Sequence, residues 1–169
     1  MKSKGYSLWL MPSGKIYKRF SNLIKKLAKE YDDPVFEPHI TLLGEFTDSL
    51  EVSAKGANEL VSGQKPFTVN LEEIDYQAFY FRTLFVKAKK TQPLLALHNR
   101  AKEVFNIQNI PPYMPHLSLL YGTYPNEVKE EIIKEIGRNQ SVQIEVNSIY
   151  LVKGGEIEDW HIIEEFTFS

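Results

Sequence analysis

Two spacings of apolar residues alternate along the first half of the chain. Apolar residues at every second position predict strands, and apolar residues three and four apart predict helices. Asp32–Pro34 follows the first helical pattern as a stop signal, and Thr47–Ser49 offers caps for the second. The predicted elements are a strand at Tyr6–Met11, a helix at Lys15–Tyr31, a strand at Pro38–Gly44, a helix at Leu50–Val61 and a strand at Phe67–Ile74.

The second half of the chain repeats this order. Its predicted elements are a strand at Ala78–Ala88, a helix at Pro93–Phe105, a strand at Pro115–Gly122, a helix at Pro125–Ile136, and a closing hairpin of Val142–Lys153 and Trp160–Phe168 around Gly154–Gly155. The repeated order predicts a duplication in a single bilobal domain, with halves at roughly 1–76 and 77–169. A pseudo-twofold arrangement of two α+β lobes would bring the middle strand of each half to one shared cleft.

The composition narrows the class of protein. The chain has 169 residues, of which 43% are apolar and 25% charged, typical of a soluble globular protein. A net charge of −2 argues against a protein that binds long nucleic acid, while a small phosphorylated ligand needs only a few local donors. The absence of cysteine excludes disulfides and thiolate metal sites. With neither a signal peptide nor an apolar run long enough to span a membrane, we expect a cytoplasmic protein with no membrane partner.

One hexamer occurs twice in a closely similar form. The chain reads "PHITLL" at Pro38–Leu43 and "PHLSLL" at Pro115–Leu120, in the same ordinal strand of each half. Ordinary residue frequencies would produce such a second match in about one of 10⁴ chains of this length. We therefore expect the two copies to share a function.

Alternation along a strand places the histidine and the hydroxyl residue of each copy on one face. His39 and Thr41 point together, as do His116 and Ser118, with about 7 Å between their backbone positions. In-line displacement at phosphorus needs a base on the attacking oxygen and an acid on the leaving oxygen. Two imidazoles can fill these roles near neutral pH, while the hydroxyls hold the non-bridging oxygens.

Metal binding is a weaker interpretation of the two motif histidines, and the two remaining histidines lack the motif. Each copy offers one histidine with no second ligand at metal-binding spacing, so we expect no metal. His98 lies on a predicted helix and His161 on the last strand, and neither has a hydroxyl residue two positions later. We interpret both as structural.

The paired His-x-Thr/Ser motifs resemble those of the two-histidine (2H) phosphoesterase superfamily. The strings "YSLWLMP", "PHITLLGEF" and "YMPHLSLLYG" are most similar to its cyclic phosphodiesterase branch. The resemblance implies two mainly antiparallel sheets flanked by helices, a central cleft and no cofactor. It also implies hydrolysis of nucleoside 2′,3′-cyclic phosphates to 2′-phosphates, and of ADP-ribose 1″,2″-cyclic phosphate to the 1″-phosphate.

Residue roles follow from the same resemblance. His39 and His116 are implied as the catalytic pair, with His116 as general base and His39 as general acid, and Thr41 and Ser118 as phosphate-binding residues. Trp9 and Tyr121 are implied as aromatic contacts to the nucleobase or ribose.

The aromatic candidates differ in how alternation places them. Tyr121 falls on the face opposite His116 unless the strand twists or bulges before Gly122. Phe81 shares a strand face with Thr83 and is a third stacking candidate, with core packing as the alternative. Arg82 could contact a phosphate, but it alternates with apolar residues, so we expect it to face solvent or a structural partner.

Two alternative functions stay open. One is an RNA-end enzyme of the same superfamily, acting on 2′,3′-cyclic ends or 2′–5′ linkages, for which Lys87, Lys89 and Lys90 could form a local basic patch. The other is a nucleotide-binding module that has lost turnover. We expect a monomer in each case.

Overall fold

The computed structural model describes every residue from Met1 to Ser169 and has the predicted α+β composition. The elements are β1 (Tyr6–Leu10), α1 (Gly14–Tyr31), β2 (Ile40–Phe46), α2 (Leu50–Val61), β3 (Phe67–Asp75), β4 (Leu84–Ala88), α3 (Gln92–Val104), β5 (His116–Leu120), α4 (Asn126–Ile136), β6 (Asn139–Val146), β7 (Ser148–Lys153) and β8 (His161–Thr167). Short 3₁₀ helices occupy Tyr80–Arg82 and Ile157–Asp159. None of the helices combines the length and apolar character that crossing a membrane requires.

All eight strands form one antiparallel sheet in the order β6-β3-β4-β5-β2-β1-β7-β8. At its centre, β2 and β5 are joined by a single bridge between Ile40 and Leu117, which we call the seam. The seam divides the sheet into a β2 lobe (β1, β2, β7 and β8) and a β5 lobe (β3, β4, β5 and β6). The antiparallel pairing and the flanking helices are confirmed, whereas the two expected sheets are joined at this point.

The sheet order exchanges strands between the two predicted halves of the sequence. β3 pairs with β4, and β7 pairs with β1, so each lobe contains strands from both sides of residue 76. The helices cross in the same way, because α1 packs against β5 and α3 packs against β2. Counted outwards from the seam, β5 corresponds to β2 and β4 corresponds to β1. This correspondence is what an approximate twofold axis through the seam requires.

Two predicted strands are wrong in part. Residues 78–83 do not extend the strand that begins at Leu84, because the Arg82 N–H donates to the carbonyl of Phe79 at 2.9 Å and closes a turn. The predicted strand Val142–Lys153 ends at Val146 and resumes at Ser148. The break lets the chain pass from β3, at one side of the sheet, to β1 at the other.

The hydrophobic core lies on one face of the sheet and orients the polar residues of the seam. α1 buries Phe20, Ile24 and Leu27 in this core. Ile40 and Leu117 are fully buried in it as well. Since side chains alternate along a strand, the neighbours of these two residues in β2 and β5 point to the opposite face.

Candidate active site

The seam brings the two repeated motifs together on the face away from the core. In an antiparallel pair, the bridge between Ile40 and Leu117 sets His39 across from Ser118, and Thr41 across from His116. Diagonal neighbours such as the two histidines are then about 7–8 Å apart. All four side chains line one cavity of about 430 Å³. The four polar residues singled out in the sequence therefore lie around a space that fits a phosphate group.

Both imidazoles are oriented by the same local hydrogen bond. His39 Nδ1 lies 2.7 Å from the carbonyl of Glu37, and His116 Nδ1 lies 2.7 Å from the carbonyl of Met114. A carbonyl only accepts, so Nδ1–H is the donor in each case. Nε2 of each ring is thereby left as the free nitrogen, unprotonated in the neutral form.

The surroundings of the two histidines are different. His39 is only 4% exposed, and its ring stacks on Trp9 with 3.6 Å between the centroids and 8° between the planes. Burial lowers the pKa of His39 to about 4, opposed by the bond to Glu37. His116 is partly buried, and burial followed by the charge of Arg82 lowers its pKa as well. Both rings are therefore neutral at pH 7 in the free protein.

A β-bulge follows the hydroxyl residue in each motif. The strand register shifts by one residue at this point on both sides of the seam. The aligned pairs are Trp9 with Thr41 and then Leu8 with Leu43 in one lobe, and Phe85 with Ser118 and then Leu84 with Leu120 in the other. Leu42 and Leu119 are thus the additional residues of two equivalent bulges.

The bulges determine which residue after each motif faces the cavity. With strict alternation, Tyr121 would face away from His116, but the extra residue returns it to the cavity side, where it is 4% exposed. The equivalent residue of the other lobe is Gly44, which also lines the cavity. The two lobes therefore contribute a phenol and an open space at matching positions.

The aromatic residues divide into a buried and an accessible group. Trp9 lines the cavity, but it is only 4% exposed and one face of its ring is covered by His39. Phe81 and Trp160 are partly exposed, and their ring centroids lie 6.0 Å apart across the two lobes. Trp160 Nε1 donates to the carbonyl of Gly155 at 3.0 Å, which fixes the indole. Trp160 is not among the residues predicted from the sequence, because it lies outside both motifs.

Arg82 and the two remaining histidines also have defined positions. Arg82 lines the cavity and is partly exposed, and it lies in a 3₁₀ turn, where strand alternation does not apply. His161 is exposed and lies outside the cavity lining. His98 is buried and donates from Nδ1 to the carbonyl of Leu42 at 2.8 Å. No group of three or more His, Asp or Glu side chains is arranged to hold a metal ion.

Known proteins resemble this chain over most of its length. The family described as cyclic phosphodiesterase-like protein matches residues 4–168. A cyclic phosphodiesterase of Arabidopsis thaliana is 29% identical over 130 residues, covering 77% of this chain and 72% of that protein. A 2′,3′-cyclic-nucleotide 3′-phosphodiesterase of Phaeosphaeria nodorum is 30% identical over 138 residues, covering 72% of this chain and 71% of that protein.

The fold has solved counterparts at lower sequence identity. The crystal structure of E. coli LigT complexed with 3′-AMP matches with a TM-score of 0.64 over 100% of this chain and 99% of that one, at 13% identity. An antiparallel fold with paired His-x-Thr/Ser strands at its centre defines a two-histidine phosphoesterase. Within that superfamily, the chain belongs to the cyclic phosphodiesterase-like protein family and is a phosphodiesterase.

Proposed function

We propose that this enzyme hydrolyses nucleoside 2′,3′-cyclic phosphates to 2′-phosphates and ADP-ribose 1″,2″-cyclic phosphate to the 1″-phosphate, with His39 and His116 as its acid–base pair and no metal ion. The observation that carries the proposal is the pair of free Nε2 atoms on diagonal positions of the seam. The name of the Phaeosphaeria nodorum relative, a 3′-phosphodiesterase, supports cleavage at the 3′ position. Solved complexes of E. coli LigT with 3′-AMP, ATP and NADP⁺ support a small nucleotide as ligand.

The reaction needs one proton removed and one supplied. Water attacks phosphorus while Nε2 of one histidine takes its proton, the bond from phosphorus to O3′ breaks, and Nε2–H of the other histidine protonates O3′. The Thr41 and Ser118 hydroxyls donate to the non-bridging oxygens as negative charge develops. The two histidines end with exchanged protonation states, and solvent restores them before the next turnover.

The order of the two roles can be argued from burial. The resemblance implies His116 as base and His39 as acid. His39 is buried more deeply than His116, and burial disfavours the charged form, so His116 takes up a proton more readily in the free protein. This favours the reverse order, with His39 as base and His116 as acid. A p-nitrophenyl nucleotide phosphodiester distinguishes the two orders, because its leaving group needs no proton. Hydrolysis of this substrate should keep its rate when the histidine that acts as the acid is substituted, and should lose it when the histidine that acts as the base is substituted.

Contacts to the nucleoside come from the accessible aromatic group. Phe81 and Trp160 expose part of their rings to the cavity, whereas Trp9 and Tyr121 serve mainly as its walls. Base stacking on these rings favours substrates that carry a nucleobase. We expect a monomer, since one chain supplies all four residues of the phosphate site.

The experiment that tests the proposal measures hydrolysis of 2′,3′-cyclic AMP in excess EDTA, with the product isomer assigned by ³¹P NMR. We expect turnover to the 2′-phosphate, and a loss of about 10²–10⁴-fold in His39→Ala and in His116→Ala. His161→Ala is the matched control, because this histidine lies outside the cavity. Full activity in both cavity variants, or turnover that stops in EDTA, would contradict the proposal.

The alternative functions receive less support. Lys87 of the possible RNA-binding patch pairs with Glu73 at 3.0 Å, which neutralises part of its charge. Membership in an enzyme family argues against a module that only binds. Comparing a mononucleotide with a cyclic-ended oligonucleotide across salt concentrations separates the RNA-end activity, because phosphate contacts outside the cavity weaken with salt.

A further inference from the structure

A stacked pair of side chains packs against the bulge in β2. The rings of His98, from α3, and Tyr113, from the segment before β5, lie parallel with 3.9 Å between their centroids and 9° between their planes. The Tyr113 hydroxyl donates to the carbonyl of Thr41 at 2.8 Å, and His98 Nδ1 donates to the carbonyl of Leu42 at 2.8 Å. Both rings also line the cavity, yet neither takes part in the proposed proton transfers.

The two hydrogen bonds act where the strand ladder is interrupted. A bulge leaves backbone groups without partners on the neighbouring strand. Leu42 is fully buried, so its carbonyl has no access to water and needs a donor from within the protein. Tyr113 and His98 provide donors for the carbonyls of two consecutive peptide groups at the bulge, Thr41–Leu42 and Leu42–Leu43 respectively.

We infer that His98 and Tyr113 are positioning residues that aim the Thr41 hydroxyl at the phosphate by fixing two successive peptide planes, Thr41–Leu42 through Tyr113 and Leu42–Leu43 through His98. The inference rests on the proposed function, because it concerns the phosphate-binding role of Thr41. Threonine is β-branched and stiff about χ1, so the direction of its hydroxyl follows the backbone closely. Catalysis is sensitive to such placement, since a shift of about 1 Å costs up to about 10²-fold in rate.

The matching hydroxyl on the other strand is supported in another way. The Ser118 side chain contacts the side chain of Tyr121, close enough to oppose the effect of burial on the pKa of that tyrosine. Ser118 thus has a side-chain neighbour in the cavity lining, whereas the described contacts of the His98–Tyr113 pair reach Thr41 only through its backbone.

A double-mutant cycle, measured on the hydrolysis of 2′,3′-cyclic AMP, tests the inference. Tyr113→Phe keeps the ring and its stacking but removes the donor, and we expect kcat/KM to fall about 10-fold. In the Thr41→Ala background the same change should cost less than about twofold, because there is no hydroxyl left to position. Tyr76→Phe is the matched control, since it removes a tyrosine hydroxyl bonded to Glu130 at the surface.

Substitutions of His98 provide an independent test of the inference. His98→Asn retains a donor near the position of Nδ1, whereas His98→Leu removes it, so we expect Asn to keep most of the activity that Leu loses. Thermal unfolding of each variant establishes that the measured protein is folded.

Several outcomes would overturn the inference. Equal losses from Tyr113→Phe in both backgrounds, or full activity in folded Tyr113→Phe, would overturn it and leave the proposed function intact. Full activity in Thr41→Ala would overturn both this inference and the phosphate-binding role of Thr41. Failure of the wild-type protein to hydrolyse any cyclic nucleotide would reject the proposed function itself, and this inference with it.

Discussion

The two histidine strands share a backbone framework but not the side chains around it. In both strands, the histidine Nδ1–H donates a hydrogen bond to the carbonyl two residues earlier, and a bulge follows the hydroxyl residue. The residue paired with the hydroxyl position differs, being Trp9 in one lobe and Phe85 in the other. Trp9 stacks at 3.6 Å on His39, while Phe85 is tilted by 59° at 5.0 Å from His116.

This difference has a chemical consequence. Two identical imidazoles around a phosphate would have the same affinity for protons, yet the reaction requires one to take a proton and the other to give one. Unequal burial of the rings disfavours a proton on His39 more than on His116, while the residues proposed to hold the phosphate carry a hydroxyl on both strands. The shared framework therefore fits the symmetric part of the substrate, and the unequal packing fits the asymmetric chemistry.

The largest expected effect is loss of either histidine. His39→Asn and His116→Asn keep a polar side chain but remove Nε2, and we expect each to lower kcat by about 10³-fold. Similar losses would show that both rings are needed despite their different surroundings. The measurement is steady-state hydrolysis of 2′,3′-cyclic AMP, with His161→Asn as the control. If one variant retained more than a tenth of the wild-type rate, the pair could not be acting as acid and base.

The hydroxyl residues should show the next largest effect. We expect Thr41→Val and Ser118→Ala each to lower kcat/KM by about 10²-fold, because each removes a donor to the developing phosphoryl charge. Thr41→Ser restores the hydroxyl without the methyl group and should recover most of the activity. Should Thr41→Ser remain as inactive as Thr41→Val, the loss would be attributable to packing rather than to the hydroxyl.

Unequal burial also predicts a pH dependence of stability. Folding lowers the pKa of His39 from about 6.5 to about 4, so the unfolded chain binds a proton there at pH values where the folded protein does not. The stability from neutral His39 is complete above pH 6.5 and is lost as the pH falls towards 4. Between pH 7.5 and 5.0 we expect this group to remove about 2 kcal/mol from the free energy of unfolding.

Urea unfolding of the wild type and His39→Gln at both pH values isolates this contribution, since other titrating groups are common to the two proteins. The difference in unfolding free energy between them should shrink by about 2 kcal/mol at the lower pH. A difference that stays constant would mean that the His39 ring is solvated more than its contacts with Trp9 indicate.

The repeated hexamer was sufficient to predict that four polar residues share one cavity. Strand alternation assigns His39 and Thr41 to one face from local sequence alone, and the same holds for His116 and Ser118. The helices were predictable for a similar reason, because their apolar spacing and caps are local signals.

The remaining features depend on which segments pair with each other. A bulge such as the one at Leu42 is defined only by the register with β1, and the exchange of β3 and β7 between lobes only by the order of the sheet. Trp160 comes to the cavity because β7 and β8 place their connection over it, and no motif marks that position. These features are set by long-range contacts, which residue periodicity does not record.

The smallest expected effects come from the two residues that follow the bulges. Tyr121→Phe removes a hydroxyl from the cavity wall next to Ser118, and we expect kcat/KM to fall about fivefold, the equivalent of about 1 kcal/mol for one polar group. Gly44→Ala is the matched change in the other lobe. Its added Cβ would meet only Thr41 Cγ2, at an ordinary contact distance of 3.5 Å, so we expect less than a twofold change. If Gly44→Ala proved the more damaging of the two, bound substrate would have to lie directly against the glycine. The open space in the β2 lobe would then hold the nucleoside, and the asymmetry between the lobes would extend from the histidines to substrate binding.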